Sequence, residues 1–184
     1  MKLAISEPRQ LDKRYFFQRI IAYFIDVTLL TVVVQGSQWG LFTLTDGFPF
    51  TRMAEINSGW LIYGWVFLTV SLPIWLYFIW GERSARQATL GKRLMGLKVV
   101  ADSDEKPSWQ QVFSRTVLKL IPWELFHLAF MLPVPLLNDP TAAFRPGFLM
   151  GFVVLILYLL VLVQTPRRQS IHDVIARTYV VAKR

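Results

Sequence analysis

The chain has 184 residues, of which 54% are hydrophobic and 15% aromatic, with a net charge of +8 and no cysteine. Without cysteine there can be no disulfide framework, thiolate metal site or cysteine nucleophile. The basic excess lies beside apolar runs, where it fits membrane orientation rather than nucleic-acid binding, so a single membrane domain over residues 1–184 is expected.

Four apolar segments can be drawn, at about 16–42, 59–80, 120–137 and 147–164. The first follows Lys13 and Arg14 as a signal peptide would. Asp26 interrupts its apolar stretch, however, and no Ala-x-Ala site ends it, so it reads as an uncleaved helix. The second segment is uncharged, its 22 residues cover about 33 Å of helix, and Trp60 and Trp80 flank it as interfacial anchors. The connection 81–119 predicts a short helix that breaks at Gly96 into an extended Val99-Val100 end. Ser108 and Gln111 then form a capping-box pattern. It opens an amphipathic helix with Trp109, Val112, Phe113, Thr116, Val117, Leu120 and Ile121 on one face, and Gln110, Ser114, Arg115 and Lys119 on the other. That helix is expected at the headgroup level. Pro122, Glu124, His127, Pro133 and Pro135 interrupt the third segment, which predicts a kinked or partly re-entrant span. The fourth is clear, and a tail of 165–184 follows.

Charge counting favours four spans. The stretch through Arg19, the 81–119 connection and the tail together hold eighteen of the twenty Lys and Arg residues, leaving only Arg52 and Arg145 for the other loops. Both termini are therefore expected on the cytoplasmic side of an all-α membrane protein. The two halves echo each other weakly, each ending in a basic segment that finishes Val-Val, which admits a parallel repeat.

Three patterns stand in order along the chain: Arg19-x-x-Ala22-x-x-Ile25-Asp26; Thr89-x-Gly91-Lys92-Arg93-x-x-Gly96-x-x-Val99-Val100; and Arg168-Gln169-x-x-His172-Asp173-x-x-x-x-Thr178-x-Val180-Val181. Together they resemble the RDD family of bacterial membrane proteins. Two positions depart from the family's usual pattern: Leu90 stands where relatives often have proline, and Asp104-Glu105 replaces an Asp-Gly turn. The resemblance implies a multi-pass protein of the bacterial cytoplasmic membrane, presumed to transport small solutes or ions, with cation/proton exchange proposed for some members.

Asp26 lies some ten residues into the first span on a side chain too short to snorkel, and an acid at the centre of a span costs roughly 2.5–3.5 kcal/mol. It must be protonated, paired or hydrated, either as a proton or cation site or as a structural lock between helices. Glu124 and His127, one turn apart, are its expected partners and complete a transport or proton-binding set. Arg19 is expected to snorkel to the headgroups. Asp173 either pairs with Arg177 or folds back to Arg19 or Arg115, closing the cytoplasmic face. Lys92, Arg93 and Lys98 are expected on anionic lipid, since Arg86 and Arg93 break any phosphate-loop pattern. No hydrolytic arrangement, metal site or cofactor is expected. A four-span chain rarely encloses a pathway alone, so a homo-oligomer or partner subunit is expected. The rival reading is a membrane scaffold whose buried charges are structural.

Overall fold

The computed structural model describes residues 13–47, 50–56, 58–136 and 145–183. Helix α1 (Lys13–Leu44) is followed by a short α2 (Phe50–Glu55), then by α3 (Gly59–Val66), which continues through one π-helical turn (Phe67–Ser71) into α4 (Leu72–Arg83). After α5 (Leu90–Leu94) and strand β1 (Leu97–Ala101) come α6 (Trp109–Met131), α7 (Pro146–Gln164), α8 (Ile171–Ile175) and β2 (Thr178–Ala182). Among the described residues, three helical stretches are long and apolar enough to cross a membrane: Phe16–Leu44, Gly59–Arg83 and Pro146–Gln164. On α1 only the stripe Ala22, Asp26, Leu30 and Val34 is buried, at every fourth position, while Phe17, Phe24, Val32 and Val33 point outward.

Of the four expected spans, the third differs. Segment 120–137 and the amphipathic helix before it are one continuous helix, α6, as far as Met131, and residues 137–144 lie outside the described set. Its buried stripe is also rotated relative to expectation, taking in two residues of the expected polar face and leaving out two aromatics of the apolar one. Arg115 and Lys119 are buried with Val112, Thr116 and Leu120, whereas Trp109 and Phe113 are exposed. Charge is drawn inward there because buried acids wait for it. The capping box at the start of α6 is as expected, with Gln111 N–H donating to Ser108 Oγ at 3.2 Å and Ser108 N–H donating to Gln111 Oε1 at 2.9 Å.

Proline frees one carbonyl in each broken helix, and another side chain takes it. Pro122 cannot donate to the Leu118 carbonyl, which accepts from the Tyr158 hydroxyl at 2.5 Å. Pro73 cannot donate to the Thr69 carbonyl inside the π-helical turn, and Gln38 Nε2 reaches it at 3.5 Å. Arg145 is buried and donates to the Ala129, Phe130 and Leu132 carbonyls, so it caps the C-terminal end of α6.

The fold is mostly helical rather than purely so, since β1 and β2 form a two-stranded antiparallel sheet. The register pairs Leu97 with Ala182, Val99 with Val180 and Ala101 with Thr178. The echo between the halves is structural. Every landmark of 84–101 recurs 81 positions later (Leu90 to Ile171, Leu97 to Thr178). Ser84 and Thr165 end the preceding helices, and Gln87 and Arg168 both take φ 51°. Thr89 and Ser170 are N-caps, and Gly96 and Arg177 both adopt positive φ before the strands. Val99 faces its own equivalent, Val180, so a local two-fold passes through that pair. The β1 turn uses Asp104 at φ 63°, a left-handed conformation that glycine adopts without strain in an Asp-Gly turn.

Candidate functional site

Asp26 is 1% exposed and fully engaged. Its Oδ1 accepts from the Tyr77 hydroxyl at 2.6 Å and the Gly91 N–H at 2.7 Å, and its Oδ2 accepts from Thr89 Oγ1 at 2.6 Å. Thr89 and Gly91 flank the start of α5, so the carboxylate of α1 caps that helix from outside. Contact is close because residue 91 has no side chain: a Cβ there would fall on the Ala22 carbonyl and 3.0 Å from Asp26 Cγ. Leu90 occupies the first helical position, where proline is favoured, and its N–H donates to Tyr77 Oη at 3.0 Å. The expected partners, Glu124 and His127, do not touch Asp26; the start of α5 and Tyr77 of α4 supply its donors instead.

A second buried cluster lies where α4, α5, α6 and α8 meet. Glu82, absent from the sequence-derived candidates, is completely buried. Its Oε1 accepts from Lys92 Nζ at 2.5 Å and Lys119 Nζ at 2.7 Å, and its Oε2 from Arg115 Nε at 2.8 Å. Arg115 also donates to Thr178 Oγ1 at 2.9 Å and pairs with Asp173. Asp173 takes Arg19 Nη2 at 2.5 Å, and Arg19 donates further to the Arg168 carbonyl. Lys119 Nζ sits 3.9 Å above the Phe78 ring. Burial pulls the Lys92 amine below its ordinary value, against the opposing charge of Glu82. Burial, then the positive charges of Arg115, Lys119 and Arg19, hold the His172 imidazole well below its ordinary value and keep it neutral.

Several expectations change here. Lys92 binds Glu82 rather than lipid, because a buried acid one helix away outweighs a headgroup. Arg93 is exposed but turns back to the Ala88 carbonyl at 2.9 Å and Ser84 Oγ at 3.3 Å, while Lys98 is half-buried on β1. Arg19 is drawn in by Asp173 rather than snorkelling. The fold-back of the tail is observed, and an Asp173–Arg177 pair is not: Arg177 takes φ 51° past the end of α8 and its carbonyl accepts from Gln111. Glu82 carried one sequence signal, an acid two residues after Trp80 ahead of a dense basic loop.

Glu124 and His127 face a separate space, a cavity of about 260 Å³ between α1, the π-helical turn with α4, and α6. Tyr23, Thr31, Gln35, Ser71, Trp75 and Trp123 line it with them. Glu124 Oε1 accepts from Trp75 Nε1 at 3.2 Å and its Oε2 from the Tyr63 hydroxyl at 3.1 Å. His127 Nδ1 is 3.2 Å from Ser71 Oγ and 3.7 Å from Glu124 Oε2. The π-helical turn carries Ser71 inward to meet that imidazole.

Long apolar helices with buried charge at their ends define a polytopic helical membrane protein. The RDD family profile matches residues 14–177, and the chain belongs to the RDD family. No match was found among curated proteins or solved structures.

Proposed function

We propose that this RDD-family chain is a non-enzymatic transport protein of the bacterial cytoplasmic membrane, moving a small cation or solute in exchange for protons held at Glu124 and His127. The observation that carries this reading is the cavity midway along α1, whose wall holds a carboxylate and an imidazole 3.7 Å apart beside a break in helix geometry. Ionisable groups facing an internal space at membrane depth are where proton and ion pathways are found. Asp26 is a latch in this account, because three donors already satisfy its carboxylate. The helix containing Glu124 serves as the fourth span, with both termini cytoplasmic, and a second copy or a partner subunit completes the pathway. Arg93 and Lys98 remain for anionic headgroups. Proteoliposomes carrying the wild-type protein and a pH dye should report cation-driven proton movement that Glu124→Gln removes. Equal flux in wild-type and empty vesicles, or full flux in Glu124→Gln, contradicts the proposal.

A membrane scaffold is the second reading, favoured by one observation: Glu82, Arg115, Asp173 and Arg19 form a closed set of pairs joining four elements, as a structural frame requires. Wild-type protein that folds and assembles yet moves no ion under any gradient would support it.

A further inference from the structure

We infer that the cavity between α1, α4 and α6 takes a monovalent organic ammonium, an aromatic or alkyl amine in its protonated form, rather than a bare metal cation. The inference deepens the transport proposal and rests on its assignment of this cavity as the site of solute uptake. Among the described residues Glu124 is the only acid lining the space; its donors, the Trp75 indole and the Tyr63 hydroxyl, are neutral, and its one ionisable neighbour is the His127 imidazole 3.7 Å away. Its negative charge is thus left without a lysine or arginine partner among the described residues, unlike Glu82 and Asp173, which have several. A carboxylate in that state complements one positive charge.

The remaining wall decides which kind of cation. A calcium-sized ion needs about six to eight oxygen ligands, and magnesium about six in octahedral array. Here the lining is dominated by carbon, with Trp75, Trp123 and Phe78 presenting aromatic surface and Tyr23 already accepting from Trp123 Nε1 at 2.7 Å. Aromatic faces attract weakly hydrated cations such as substituted ammonium groups. The same wall already does so from its other side, where the Lys119 ammonium lies 3.9 Å over the Phe78 ring. An ammonium N–H donating to Glu124, with its carbon substituent against Trp75 and Trp123, uses both properties of the space, whereas a metal ion uses only the first.

Titration calorimetry on the full chain in lipid nanodiscs, with benzylammonium as probe, tests this. Saturable binding is expected, with affinity falling about tenfold or more for the neutral analogue benzyl alcohol and for Glu124→Gln, and unaffected by exchanging the supporting sodium salt for a potassium salt. Trp75→Phe, which removes one donor and shrinks the aromatic surface while keeping the core filled, should also weaken binding and serves where Glu124→Gln does not fold. Equal affinity for benzyl alcohol, displacement of benzylammonium by sodium, or unchanged binding in a folded Glu124 or Trp75 variant overturns the inference. Sodium-driven, Glu124-dependent proton flux without benzylammonium binding refutes the ammonium assignment and leaves transport standing. Binding without any flux refutes transport and leaves the site.

Discussion

Two buried carboxylates, Asp26 and Glu82, show how the same group is stabilised in opposite ways. Asp26 is held by three neutral donors, whereas Glu82 is held by three cations. Their variants should differ accordingly. Glu82→Gln leaves Lys92, Arg115 and Lys119 without their common counter-charge and should destabilise by about 3–5 kcal/mol, read as lost folded yield or a lowered melting temperature in detergent. Asp26→Asn keeps the shape but turns an amide toward groups that donate, costing about 1–3 kcal/mol for each donor left unpaired. Gly91→Ala places a methyl group on the Ala22 backbone carbonyl, which cannot swing aside, and should cost about 3 kcal/mol or more. His172 gives a pH signature. Since its folded pKa lies below 6.5, the unfolded chain takes up the proton first, so the contribution of His172 to stability is constant above about pH 6.5 and falls below it by up to ~1.4 kcal/mol per pH unit. Thermal melts of His172→Asn should lose that part of the slope between pH 6.5 and 5.

At the level of elements, the sheet joins the two halves through segments 81 positions apart, and its register is open to test because the chain has no cysteine. Lys98 faces Val181, so Lys98→Cys with Val181→Cys should cross-link on mild oxidation, while Lys98→Cys with Tyr179→Cys should do so far less. Equal cross-linking of both pairs would contradict the register. Much of this level could be read in the chain itself: the helix breaking at Gly96, the capping box at Ser108 and the repeated Val-Val ends were all visible as patterns. That the Val-Val segments pair with each other was not, since a strand's partner leaves no mark within the strand. The inward turn of Arg115 and Lys119 on α6 was hidden for a related reason. Periodicity places Arg115 and Lys119 on one face, but only the buried Glu82 and Asp173 decide that this face turns inward.

For the whole molecule, the charges separate into a paired frame around Glu82 and Asp173 and an open pair in the cavity. Asp26 stood out in the sequence because an acid within an apolar run is costly, whereas for Asp173 the sequence left a pair with Arg177 and a return to Arg19 or Arg115 both open. Glu82 did not stand out, because it falls just past the uncharged stretch, where an acid ordinarily meets water. The grouping of Asp26 with Glu124 and His127 failed because helix spacing ranks residues along one helix and says nothing of which other helix Asp26 caps. On the proposed function, Asp26 and Glu82 hold the molecule together whereas Glu124 carries its activity. Proton flux per folded molecule, measured in proteoliposomes for Asp26→Asn and Glu124→Gln side by side, tests it most directly. The prediction is that folded Asp26→Asn retains most of the wild-type flux and Glu124→Gln retains none; flux lost in Asp26→Asn and kept in Glu124→Gln would contradict it.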